Sequence, residues 1–465
     1  MRGEKNGGLR RQLSSRQIGM ISLGGAIGTG LFLGSSLAIT KAGPAVVLVY
    51  LAAALVAVAL AYALAEMVVV HPHAGGFGAV TNRYLGPFAG YLQRWSYWAA
   101  QVVTVGGEVV AAGLYVRFWW PQVPLWAAVS FFAVVVVVVN LAAVKLFGEV
   151  EYWFSAVKVF ALVMFVVLGA AYVAVGLPGR DAVGLSAWTD HGGFAPNGLS
   201  GLWLAVTIAT LSYGGVEAVA MTAAESRQPD RDIPRATRRV VLRLVLFYVL
   251  ATGIIVAIVP WTRASEGGGI TKSPFVLLFE VAGIPAAAGI MNLVVLTAAL
   301  SAANTTLYLA SRTVHSLALD GLAPGRLAAT SSHGSPVGAV LVSTIGLAVA
   351  ALAAALSPGD VFPLMLGIGL FSGMITWLLV FAGHWAFRRR RTAEGLDPAP
   401  FRLPGAPVTT ALAAAFVVSV LITTAFTAEF GAAWKVGSVF TALLCLCWPL
   451  VRARRRAWQL AEANR

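Results

Sequence analysis

Charge is what this chain of 465 residues has least of. Asp, Glu, Lys and Arg together make up 11% of it, against 58% hydrophobic residues, and the mean hydropathy is +0.81. A soluble fold of this length needs far more charge to cover its surface, so a water-soluble globular protein is excluded. Acidic residues are the scarcer sign, 19 against 33 Lys and Arg, for a formal net charge of +14. There are two cysteines, Cys445 and Cys447. They point to opposite faces of one apolar run, are badly directed for a bridge, and make a poor metal site. They read as small apolar side chains, buried or facing lipid. The six histidines (His71, His73, His315, His333 and His384 near the ends of apolar runs on one side, His191 on the other) form no ligand cluster. No metal and no cofactor is therefore expected. The chain also lacks a GxxxxGK[ST] phosphate loop, an HExxH motif and a convincing nucleophile set. An enzyme has no parts here, and an ATP-driven pump has no ATP site.

What the chain has instead is apolar runs about 20 residues long, each able to cross the ~30 Å hydrocarbon layer of a bilayer. Twelve can be read, at 18–38, 44–70, 88–116, 124–144, 152–177, 197–222, 239–260, 284–310, 337–357, 361–387, 407–427 and 432–451. The reading is an all-α, multi-pass membrane protein. With an even number of spans both termini share a side, and most of the Lys and Arg fall there: Arg10–Arg16, Arg227–Arg243, Arg388–Arg391 and Arg452–Arg456. Positive charge marks cytoplasmic loops, so both termini are expected inside, in a bacterial cytoplasmic membrane. The arginines set topology and meet anionic lipid head groups, and nucleic acid is not expected as a partner. The polar segment 1–17 has no small-residue cleavage site after it and is expected to stay in the mature chain.

Most loops are short; the longer ones are 178–196 and 261–274 outside, and 223–238, 311–336 and 388–406 inside. Segment 275–283 reads as a short amphipathic helix. Span 1 carries Gly24-Gly25-Ala26-Ile27-Gly28-Thr29-Gly30, four glycines in seven positions. Each glycine costs roughly 1 kcal/mol of helix propensity against alanine. Span 6 is interrupted in the same way at Ser212-Tyr213-Gly214-Gly215. Matching interruptions in two halves are the sequence pointer to a transporter built from inverted repeats. The halves are spans 1–5 (18–178) and spans 6–10 (197–387). Five spans separate the breaks, an odd number, so the halves run in opposite senses. Spans 11 and 12 (407–451) and a tail, 452–465, follow.

Backbone groups freed by a break cannot face lipid and are tolerated where they meet a ligand. The N-terminus of the second half-helix offers N–H groups and the positive dipole end, suited to a carboxylate. The C-terminus of the first half offers carbonyls, suited to an ammonium group. Together they match the head of an α-amino acid, and glycine lets the ligand approach the backbone. The alternative is packing alone, since Gly24 with Gly28, or Gly30 with Gly34, are GxxxG pairs.

The segments LSSRQIGMISLGGAIGTGLFLGSS (13–36), AGPAVVLVYLAAALVAVALAYALAEM (42–67) and SYGGVEAVAMTAAESRQPDRDIPRAT (212–237) carry a resemblance. So do SPFVLLFE (273–280), LTAALSAANTTLYLASRTVHSLALDGLAP (296–324) and TWLLVFAGHWAFRR (376–389). The chain resembles the amino acid permeases of the amino acid–polyamine–organocation superfamily, in its bacterial and fungal amino acid transporter branch. The resemblance implies a five-plus-five inverted repeat with two further helices, and proton-coupled amino acid uptake. It places the substrate carboxylate on the N–H groups around Thr29 and Gly30, in the Ala26, Ile27, Gly28, Thr29, Gly30 stretch. The ammonium would meet carbonyls near Ala26, Leu211 and Gly214, with Ser212 and Gly215 in the same segment and Tyr213 lining the site. Where relatives often carry an aromatic lid before the serine, this chain has Leu211.

Ionisable residues within spans are costly and usually functional. Lys158 stands about two turns into span 5, where it can snorkel to the head groups. Sodium-independent relatives place a lysine there in the position of a sodium ion, which implies a proton-coupling role for Lys158, with Ser301 and Thr305 as neighbours. Glu108, deep in span 3, can carry a proton or select a side chain. Glu217 can brace the span 6 break or carry a proton. Glu66, near the inner end of span 2, is expected to serve gating or to meet solvent. The inner loop AESRQPDRDIPRATRR, with Glu225, Asp230, Asp232, Arg227, Arg231 and Arg235, is expected to be a solvated loop or an ion-paired inner gate. The expectation is a proton-coupled symporter of neutral L-amino acids working by alternating access. An amino acid/amine exchanger, a cationic amino acid permease and a channel stand as alternatives.

Overall fold

The structure, a computed structural model, describes residue 20 and residues 27–72, 76–141, 144–177, 179–221, 226, 228–265, 273–283, 285–331, 334–427 and 430–463. Gly24, Gly25, Ala26, His73, Glu225, Arg227, His333 and segment 1–17 lie outside the described residues. Among those described, β structure is limited to isolated bridges such as Leu177 with Arg180, and all else that is regular is helical. The helices are α1 (Thr29–Phe32), α2 (Gly34–Ala42), α3 (Val46–Val70), α4 (Gly76–Leu85), α5 (Pro87–Val116), α6 (Leu125–Leu141) and α7 (Val144–Ala174). They continue as α8 (Gly198–Ser212), α9 (Ala218–Met221), α10 (Pro229–Ile258), α11 (Trp261–Ser265), α12 (Pro274–Val281) and α13 (Pro285–Leu319). The last are α14 (Val337–Ser343), α15 (Ile345–Leu356), α16 (Val361–Ala393), α17 (Val408–Phe426) and α18 (Gly431–Ala463). Nine helical segments among the described residues are long and apolar enough to cross a membrane; the first, Thr29–Val70, takes in α1 to α3. Two shorter apolar helices, α6 and α8, add to them.

Helix starts follow local chemistry. Proline opens α5, α10 and α12, where its missing N–H is one the helix could not use anyway. Ser273 caps α12, its hydroxyl oxygen accepting the N–H of Phe275. Gly86, at φ 92°, turns the chain sharply into α5, in a conformation an L side chain rarely adopts.

Several helices outrun the apolar runs that mark them. Helix α10 starts at Pro229, so Asp230, Asp232, Arg231 and Arg235 sit in its first turns and not in a loop. Asp230 and Asp232 there face the positive end of the helix dipole. Likewise α13 runs to Leu319, α16 to Ala393 and α18 to Ala463, turning expected loop and tail into helix. Helix α4, between spans 2 and 3, was not expected at all. Hydropathy marks where a helix meets hydrocarbon; Arg, Glu and Ala extend it into water at no loss of propensity.

Helix α5 lies at the centre, packed on α13, α16, α15 and α4, while α10 packs on α3 and α2 on α8. Glu66, on α3, is 2% exposed and so does not meet solvent. Its carboxylate accepts the Leu403 N–H at 2.8 Å, lies 3.0 Å from His384 Nε2 and pairs with Arg388 at 3.5 Å. The other ring nitrogen of His384 meets Thr410 Oγ1 at 3.0 Å. One carboxylate thus ties α3 to α16, α17 and the segment between them.

Candidate functional site

The first break is at Ile27 and Gly28, which are not helical; Gly28 is extended, at φ −125° and ψ −157°. The helix then begins at Thr29, with the N–H groups of Leu31 and Phe32 bonded to the Gly28 carbonyl. It passes into α2 across Leu33, whose N–H still reaches the Thr29 carbonyl at 2.8 Å. Two of the peptide groups at the break are taken by ionisable side chains. The Thr29 N–H donates to both carboxylate oxygens of Glu108 at 3.2 Å, and Lys158 Nζ donates to the Ile27 carbonyl at 3.1 Å.

The second break follows Ser212, where α8 ends; residues 213–217 turn, with Gly215 at φ 97°, before α9. The Gly215 N–H donates to Glu217 Oε2 at 3.1 Å, so Glu217 braces this break. The two breaks touch. Ser212 Oγ donates to the Gly30 carbonyl at 2.8 Å, and a Cβ added at Gly30 would lie 2.8 Å from Ser212 Cα. Only glycine permits that crossing. The Tyr248 hydroxyl donates to the Ser212 carbonyl at 2.8 Å, satisfying one orphan acceptor of the helix end.

Between the breaks lies a cavity walled by α5, α13 and α16. Gly28, Thr29, Gly30, Leu211, Ser212, Gly214 and Gly215 line it, with Glu108 and Glu217. Ile27 does not; it is fully buried, with its carbonyl on Lys158. Tyr213 does not line it either. Its ring stacks on Tyr248 at 4.7 Å and its hydroxyl donates to the Tyr50 carbonyl at 3.0 Å, so it props the break from behind. Lys158 is fully buried and does not snorkel.

Two groups of residues escaped the sequence reading. One is the apolar half of the cavity, Phe362, Met365 and Trp377 on α16 with Leu309 on α13. Span 10 is apolar throughout, and periodicity alone does not say which face meets a cavity. The other is Glu151, 0% exposed, which with Glu108 is an electrostatic neighbour of Lys158. Its carboxylate accepts Ser155 Oγ at 3.1 Å and Asn304 Nδ2 at 3.5 Å, and Ser301 Oγ donates to it as well. Ser301, expected beside Lys158, therefore serves Glu151. A signal existed: residues 151 and 158 are seven apart, two turns on one helix face. Glu151 lay one residue outside the span assigned from hydropathy.

The family profile described as Amino acid permease matches residues 17–459, almost the whole chain. The chain belongs to the amino acid permease family. Among relatives of this permease, the aromatic amino acid transport protein AroP of Escherichia coli (strain K12) is 40% identical over 397 residues, 85% of this chain and 86% of the relative. AroP of Salmonella typhimurium (strain LT2) is 38% identical over 417 residues, 89% of each chain. The probable threonine/serine transporter YbxG of Bacillus subtilis (strain 168) is 35% identical over 439 residues, 94% of each chain. The permease is a multi-pass membrane protein and a transporter, not an enzyme, as the resemblance in its sequence implies.

Proposed function

We propose that the permease is a secondary transporter that takes neutral amino acids into the cell with protons, by alternating access. The observation that carries this reading is the meeting of two helix breaks at one cavity, with N–H and carbonyl groups of both breaks around it. The substrate carboxylate takes the N–H groups at Thr29 and Gly30, and the ammonium takes carbonyls beside Leu211 and Gly214, with Ser212, Gly28 and Gly215 letting it approach. Ile27 shapes the first break, and Tyr213 holds the second. The chain crosses the membrane twelve times, as two inverted five-helix repeats (18–178 and 197–387) and two further helices (407–451), with both termini inside. The Arg clusters at 388–391 and 452–456 support that orientation.

The side chain of the substrate lies against Phe362, Met365, Leu309 and Trp377, an apolar wall with aromatic surface. Neutral substrates, aromatic ones first, fit this wall, and the names of the AroP relatives agree. Protons move through the Glu108, Lys158 and Glu151 group, with Glu217 bracing. In proteoliposomes, an imposed inward proton gradient is expected to drive L-phenylalanine uptake without sodium. Lys158→Ala is expected to abolish the pH dependence of that uptake. Normal proton-driven accumulation by this variant would refute the role, and uptake strictly requiring internal amino acid would favour exchange.

A further inference from the structure

The same carboxylate that lines the cavity also closes the first break. We infer that Glu108 stands in for the substrate carboxylate while the cavity is empty, which lets the unloaded carrier close and return; this rests on the amino acid site proposed above. The group bound to the Thr29 N–H is chemically the group the substrate would bring, a carboxylate. Both oxygens share the one N–H at 3.2 Å, at the long end of the N–H···O range, a bond an incoming ligand can displace. Position 28 is built to admit it, since a Cβ there would come 2.6 Å from Glu108 Oε1. Glu108 is reached from α5 beside Gly107, which also lines the cavity and leaves the side chain space on that side. The carbonyl at Ile27 has its partner in Lys158, which does not line the cavity. The exchangeable partner is therefore on the N–H side alone.

The consequence is kinetic. A buried donor without a partner penalises any closed state that holds it. A transporter whose empty form left Thr29 bare would close readily with substrate inside and poorly without it, and would work as an exchanger. With Glu108 in place, the empty form has the same bond as the loaded one, and net uptake becomes possible. An incoming amino acid must also compete with Glu108, so the resident carboxylate weakens binding while it speeds return.

The test uses the full-length permease, in detergent for binding and in proteoliposomes for flux, with L-phenylalanine and L-threonine as probes. For Glu108→Ala, binding is expected to tighten about tenfold or more, and the ratio of exchange to net uptake to rise by a similar factor. Glu108→Gln keeps an oxygen that accepts the N–H and is expected to raise the ratio by only about threefold. Where the alanine variant does not survive solubilisation, Glu108→Leu, which fills the space without an acceptor, takes its place, and no rise overturns the inference. Weaker binding by Glu108→Ala, or exchange and net uptake falling in step, also overturns it, because Glu108 would then hold the substrate directly. A wild-type protein that binds and transports neither probe sinks the amino acid site itself, a separate result from failure of the stand-in.

Discussion

At Gly30 one hydrogen atom decides whether two helices can cross. A methyl group there would press on the backbone of Ser212, which cannot move aside as a flexible side chain could. Gly30→Ala is expected to destabilise the protein by about 1–3 kcal/mol, the usual effect of overpacking a tight contact. It should also separate the Ser212 hydroxyl from the Gly30 carbonyl. Thermal melting in detergent, paired with amino acid binding, measures both; unchanged melting with full binding would show that the crossing tolerates a side chain. Residues of this kind were legible beforehand, because a glycine cluster in an apolar run has few structural uses. Glu151 was legible only in its spacing from Lys158; its partners Ser301 and Asn304 lie far away in the chain.

At the scale of the element, the breaks show how unwinding is made tolerable in a membrane. Four of the freed groups have side-chain partners: Glu108 and Lys158 at the first break, Glu217 and Tyr248 at the second. Sequence pattern located both breaks because glycine and serine mark them. It did not show which partner takes which group, a matter of how α5, α7 and α10 lie against them. Helix α16 makes the complementary point. Its apolar face builds half the cavity, yet in sequence it resembles any other span. Trp377→Ala is expected to raise the KM for L-phenylalanine about tenfold or more, the scale on which apolar pockets discriminate. The KM for L-threonine should move much less. Competition uptake with the two amino acids measures the difference; equal effects on both would place Trp377 outside the side-chain pocket.

On the scale of the whole molecule, the Glu66 cluster ties α3 to α16 and to the segment that leads into α17. Its carboxylate is buried and meets Leu403, His384 and Arg388 at once. Removing one partner of a buried ion pair leaves the other uncompensated. Glu66→Ala is expected to lower stability by on the order of 3 kcal/mol, whereas Glu66→Gln still accepts the Leu403 N–H and should lose less. Melting curves of the two variants check this; equal losses would assign the effect to charge alone.

Composition and hydropathy by themselves determined that the chain lives in a bilayer, because burying so few charges and so much apolar surface has no other solution. Glycine placement determined where its helices give way, since local propensity is a property of adjacent residues. Tertiary structure alone decided which distant side chains answer the freed peptide groups, that Tyr213 turns away from the cavity, and that Glu66 is buried. Those outcomes depend on contacts between residues from 36 to 337 positions apart, and no local pattern encodes them.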